Sequence, residues 1–171
     1  MKKENLRNLF VSELKDILSA EHQIVKALPD VIAAAEDPDL KEAFKNHLKE
    51  TKGQVVRLEK IFKLLGLKPQ EVFCEAMHGL IEECSETIKE HEKSATRDAA
   101  LISKAQRIEH YEISVYGTLR TFAKELGLKE EKVLLEETLA EEGAADKKLT
   151  KIAEGGLLTT GVNRKSLKGE M

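Results

Sequence analysis

Glu109 and Glu112 stand one helical turn apart in the stretch QRIEHYEISVY, residues 106–116. Ile108, Glu112, Val115 and Leu119 recur at spacings of four, three and four, so they share one helical face. Glu109 lies on nearly the same face. Two carboxylates are thus aimed at or near an apolar interior, where an unpaired charge is expensive and calls for a proton, a cationic side chain or a metal ion. Three other apolar-striped segments each place a glutamate comparably: Glu21, Glu50, and Glu142 or its neighbour Glu141. Glu142 follows the apolar stripe of its segment and Glu141 follows an internal repeat, and spacing does not choose between them.

Carboxylates gathered inside a bundle repel one another, and two bridging cations remove that repulsion. Di-iron and di-manganese bundle proteins take one glutamate from each of two helices and a Glu-x-x-His pair from each of the other two. Glu21 and Glu112 fit the single-glutamate places. The histidines are missing: Gly53 follows Glu50 by three, Ala145 follows Glu142 and Ala144 follows Glu141. His47 can supply one nitrogen, although a histidine there is more often a hydrogen-bonded neighbour. Gln54 can supply one oxygen, or hold a ligand carboxylate in place. Glu109 adds a further carboxylate. A donor set so rich in oxygen suits two ions of iron, with manganese as the second choice, better than zinc. The competing expectation is that Glu21 and Glu112 form buried salt bridges, for which Arg57 is the nearest basic residue to a core stripe.

Four long helices must position these groups. The first is expected over 5–28, striped by Leu6, Phe10, Leu14, Ile17, Glu21, Ile24 and Leu28 and stopped by Pro29. The second, over 39–65, starts at Asp37-Pro38-Asp39, carries Phe44, His47, Thr51, Gln54, Leu58 and Ile61, and ends at Gly66. The third, over 98–126, carries Leu101, Ala105, Ile108, Glu112, Val115, Leu119 and Phe122 before Gly127. The fourth, over 130–154, carries Leu135, Thr138, Glu142, Ala145, Leu149 and Ile152 before Gly155 and Gly156. Residues 68–93 hold enough apolar positions for a short crossover helix packed outside the bundle. Adding 91 to the numbering lays Ile17, Glu21, Ile24 and Leu28 on Ile108, Glu112, Val115 and Leu119, and Leu48, Glu50, Leu58 and Ile61 on Leu139, Glu141, Leu149 and Ile152. The chain therefore reads as all-α, two αα-hairpins joined by a crossover helix. One domain spans 1–154, followed by an irregular tail over 155–171 that is mobile or docked on a partner.

The composition agrees. A chain of 171 residues with 41% hydrophobic and 35% charged residues, 3 Pro and no Trp suits a helix-rich domain, not a many-turned β fold. A net charge of −3 without a basic stripe argues against nucleic acid as partner. No apolar run reaches the roughly 18 residues of a membrane span, and the N-terminus lacks a signal-peptide core. Cys74 and Cys84 lie ten residues apart in one expected helix, about 15 Å of rise, too far for a disulfide, which fits free thiols in a reducing cytoplasm. Tyr111 and Tyr116 read as packing residues with satisfied hydroxyls, and His22 and His110 as surface residues.

AEHQ at 20–23, HLKETKGQ at 47–54, RDAALI at 97–102, EHYEISVYGTL at 109–119 and LAEEGAADKKL at 139–149 together resemble the YciF/YciE-type ferritin-like stress proteins of bacteria, over residues 5–153. That resemblance implies a ferritin-like bundle with an added helix, a homodimer, and a dinuclear metal centre in a protein of the stress response. The pair Glu109-x-x-Glu112 is similar to the paired glutamates of rubrerythrins, which reduce peroxide. By that analogy an oxidase or peroxidase-like reaction with O2 or peroxide is the expected activity. No rubredoxin-type cysteine pairs occur, so the electron donor is a separate, unknown partner. The alternative expectation is a structural or interaction bundle without a working metal.

Overall fold

The computed structural model describes residues 5–167. Its helices are α1 (Leu6–Ala34), α2 (Pro38–Leu64), α3 (Glu75–Glu90), α4 (Ala95–Glu125), α5 (Lys129–Glu154) and α6 (Val162–Ser166), and no named strand occurs among the described residues. The helix ends follow from local chemistry. Asn5 accepts the Asn8 amide at 2.9 Å, Asp37 accepts the Asp39 amide at 3.0 Å ahead of Pro38 in the first turn, and Ser94 accepts the Arg97 amide at 3.2 Å. Each of these bonds satisfies an amide that the first turn leaves unpaired. Gly66 and Gly127, both at φ 71°, end α2 and α4. Beyond them the Leu67 and Leu128 amides reach back to Phe62 and Ala123 at 2.9 Å, closing the last turns as left-handed glycine caps.

α1 packs on α2 and α4, and α5 packs on the same two, so the long helices run round the bundle as α1, α2, α5, α4. α3 lies outside against α1 and α4. The core is formed by the apolar stripes: Phe10, Leu14, Ile17, Leu101, Leu119 and Leu135 are fully buried. Each side chain of that kind is worth about 1.5–3 kcal/mol when taken from water. The offset of 91 holds for the helices themselves. It carries the α1 end at Ala34 onto the α4 end at Glu125, and the α2 start at Pro38 onto the α5 start at Lys129.

A buried latch fixes the hairpins to each other. Asp98, on the first turn of α4, accepts the Glu36 amide at 2.9 Å and the Asp37 amide at 2.7 Å in the α1–α2 loop. Its neighbour Arg97 donates to the Ala34 carbonyl at 2.5 Å and the His91 carbonyl at 3.1 Å. The start of α4 therefore ties off the last carbonyl of α1 and the loop that follows.

Three expectations need correction. Pro29 does not stop α1, which continues to Ala34. The ring removes one N–H and crowds the carbonyl of Val25, but burial of Val31, Ala34 and Ala35 holds the final turn in place. The α4 face is rotated from the expected stripe: Glu109, Glu112 and Tyr116 are buried, while Ile108 and Val115 flank them. The described part of the tail is not irregular: it folds back on the chain's own bundle. Gly155 turns at φ 81° and bridges to Thr160, and α6 returns against α4 and α5 with Val162 buried. A Cβ on Gly155 or Gly161 would come within about 2.5 Å of the other's backbone, so both places require glycine. A five-residue helix is too short to show a 3.6-residue period, which is why the sequence pattern missed it. The last four residues, 168–171, lie outside the described part.

Candidate metal centre

Each long helix sends a polar group into the middle of the bundle. α1 contributes Glu21, α2 contributes His47, Thr51 and Gln54, α4 contributes Glu109, Glu112 and Tyr116, and α5 contributes Thr138 and Glu142. All are buried; Glu21, Glu112 and Glu142 have no exposed surface. His47, Glu109, Glu112 and Glu142 offer one ligand atom each within 4.8 Å of one another, a spacing that could hold a metal ion. Glu21 sits beside this group and accepts a hydrogen bond from the Tyr116 hydroxyl.

Few protein donors reach these carboxylates. Gln54 donates its amide to Glu142 and, at 3.1 Å, to Glu141. His47 Nε2 lies 3.5 Å from Glu109 Oε1 across the cluster. Both oxygens of Glu112, both nitrogens of His47 and one oxygen each of Glu21, Gln54, Glu109 and Glu142 have no hydrogen-bond partner from the protein. Among the described residues only Arg97 Nε shares that condition elsewhere. Orphaned buried polar atoms are rare in folded proteins, and each costs about 1–3 kcal/mol. Eight of them fall on six neighbouring residues, four of which offer ligand atoms within 4.8 Å of one another, so the residues present fit a metal.

The electrostatics say the same. Burial raises the Glu21 carboxyl to about 8, the charge of Glu142 adds to the rise, and the Tyr116 hydroxyl opposes it. Burial, with Glu142 again the leading neighbour, lifts Glu109 and Glu112 well above the ordinary carboxylate range. Burial and the Glu21 charge keep the Tyr116 phenol protonated. Carboxylates pushed this way hold a proton unless a cation takes its place. Among the described residues no lysine or arginine pairs with Glu21, Glu109, Glu112 or Glu142, so the buried salt bridges considered above are not formed.

The remaining candidates lie outside the cluster. Arg57 grips Glu141 through two contacts of 2.6 and 2.5 Å, which takes Glu141 out of the interior. Glu50, its counterpart in the repeat, has a half-exposed side chain 4.0 Å from His47 Nδ1. The repeat identified equivalent backbone places, but the interior uses the next residue round α5. Thr51 occupies the place matching Glu142 and Leu18 the place matching Glu109, so the two halves do not contribute alike. Gly53, Ala144 and Ala145 leave space where imidazoles were expected. Tyr116 is the residue that sequence reasoning undervalued. Its position four after Glu112 put it on the same face, but its partner on α1 could not be read from spacing. His22 and His110 are on the surface, paired with Glu71 at 2.8 Å and Asp146 at 3.2 Å. Cys84 fills packing beneath α3, and burial raises its thiol to about 11. Cys74 caps α3 and touches the Tyr111 hydroxyl at 3.1 Å.

A family model described as a domain of unknown function, DUF892, matches residues 5–163. The chain belongs to this family. Protein YciF of Escherichia coli K12 is 45% identical over 154 residues, covering 90% of this chain and 93% of that protein. The crystal structure of the E. coli stress protein YciF superposes with a TM-score of 0.83 at 45% identity, covering 88% of this chain and 94% of that one. YcfI of Rhodopseudomonas palustris, whose description proposes a structural role, gives 0.85 at 42% identity over 89% and 97%. A ferritin-like diiron-carboxylate protein of Bacillus anthracis gives 0.63 at 19% identity over 85% and 95%, a likeness of fold alone. The ferritin-like bundle expected of the DUF892 chain is therefore its fold. No helix among the described residues is long and apolar enough to cross a membrane.

Proposed function

We propose that this protein is a carboxylate-bridged dinuclear metal protein, with iron as the resident metal, that reacts with O2 or peroxide in stress protection. The observation that carries the reading is the buried cluster of His47, Glu109, Glu112 and Glu142, whose ligand atoms lie within 4.8 Å of one another and which, with Glu21 and Gln54, holds eight polar atoms without a protein partner. Glu21, Glu109, Glu112, Glu142 and His47 would hold the ions, and Gln54 would present its free oxygen while its amide steers Glu142. Bound iron supplies redox equivalents for reducing the oxidant. The chain's own part is to hold the donors in place and exclude water. Tyr116 fixes the Glu21 carboxylate, and Arg57 keeps Glu141 from competing for the interior. The stress role rests on the name of the E. coli relative, and the oxidant on the chemistry of an oxygen-rich site.

The empty places at Gly53 and Ala145 favour a second reading, a structural bundle whose raised carboxylates simply stay protonated. Elemental analysis of protein purified without a metal-affinity tag separates the two. About two iron or manganese atoms per chain are expected, together with a lower melting temperature after chelation, because a ligand held only by the folded state stabilises it. Metal content near zero after anaerobic Fe(II) loading, with Glu21→Ala and Glu112→Ala at least as stable as the parent, would establish the structural bundle instead.

A further inference from the structure

A cavity of about 100 Å³ opens between α2 and α5 and reaches the cluster. Its inner wall is His47 and Glu109, and Ala144 and Ala145 line its α5 side. On the solvent side a shallower hollow continues past Gly53. A Cβ built on Gly53 meets nothing within 4 Å, so the space is real and not filled by a neighbour. Glycine in a helix interior costs about 1 kcal/mol relative to alanine, and this one stands where a side chain would narrow the gap. The groups at the inner end are unsatisfied. His47 is 6% exposed and Glu109 3%, and both His47 nitrogens and Glu109 Oε2 lack hydrogen-bond partners. Lys49, Arg57 and Lys148 stand with Glu50 and Glu141 around the outer hollow, three cations against two carboxylates, which does not repel a small anion.

We propose that the residues replacing the expected imidazoles form an access channel that delivers one small oxidant of the peroxide class to the His47 and Glu109 side of the centre. The inference rests on the dinuclear reading above and assigns the route and size of its substrate. The inner cavity sets the size limit; the hollow outside it, about 400 Å³, does not. A water molecule occupies about 30 Å³ of liquid, so the cavity takes hydrogen peroxide or a few waters, whereas sites for drug-sized organic molecules begin near 300 Å³. The short side chains are thereby functional: they exchange two nitrogen ligands for a way in.

The test uses the full chain loaded with Fe(III), with azide as the small probe. Metal per chain is measured first, on the parent and on Ala145→Leu, Gly53→Leu and the control Ala145→Ser. The parent and the control are expected to bind azide with a new absorption band. The two leucine variants are expected to keep the parent's metal content and melting behaviour but to lose azide affinity at least tenfold. The parent is also expected to consume hydrogen peroxide at least tenfold faster than cumene hydroperoxide. Ala145 lines the inner cavity on α5 and Gly53 the outer hollow on α2, so misfolding of one leaves the other as the test. Leucine variants that hold metal and bind azide like the parent would overturn the channel, as would plugging that slows Fe(II) uptake while azide binding is untouched, or equal use of both peroxides. A parent that holds no metal would sink the dinuclear reading itself, and the metal analysis records that failure separately.

Discussion

Tyr116, four residues beyond Glu112, donates a hydroxyl hydrogen bond to Glu21. Replacing it by phenylalanine leaves a buried carboxyl oxygen without its donor, and Tyr116→Phe is expected to cost the metal-free protein about 2 kcal/mol, read from urea unfolding. The carboxylates make a second prediction at this scale. Folded Glu21 keeps its proton up to about pH 8, against 4.5 for the ordinary group. Between those values the folded state binds more protons than the unfolded state, so stability falls as pH rises. Glu109 and Glu112 are shifted in the same direction and add to the effect. Chelator-treated protein should therefore melt higher at pH 5 than at pH 8, by about 1.4 kcal/mol per pH unit for each carboxylate protonated only when folded. Metal-loaded protein should show the opposite trend, because protons displace the ions. The sequence made Glu21, Glu109, Glu112 and His47 legible through helical spacing. It left Glu141 against Glu142 open, because that choice turns on a small rotation of α5 and on Arg57 reaching across from α2. Neither is a property of one helix.

At the level of elements, the four long helices were readable because caps, glycines and apolar stripes agree along each of them. The misses occurred where tertiary burial outweighs a local rule. Pro29 is carried inside α1 by the packing of Val31 and Ala34, and α6 is held by one buried valine and a pair of glycines. The Asp98 latch was invisible for the same reason, since its partners are backbone amides some 60 residues earlier in the chain. Asp98→Ala should strand the Glu36 and Asp37 amides and cost about 3 kcal/mol. Hydrogen exchange should localise the loss to the α1–α2 loop and the first turn of α4, with far less change in α5.

At the level of the whole molecule, the two hairpins repeat in helix length and in the positions of Glu21 and Glu112, but not in what surrounds them. Thr51 stands where the second half has Glu142, and Leu18 where it has Glu109. If the centre is dinuclear as proposed, a twofold scaffold with a lopsided lining treats its two guests differently. Calorimetric titration of the metal-free chain with Co(II) should therefore show two steps of unequal affinity, and a single averaged step would contradict it. One equivalent would then yield a uniform half-filled protein instead of a mixture of empty and full chains. A second, different cation added afterwards would find only the poorer berth vacant, so order of addition alone could write a defined mixed-metal pair into the bundle.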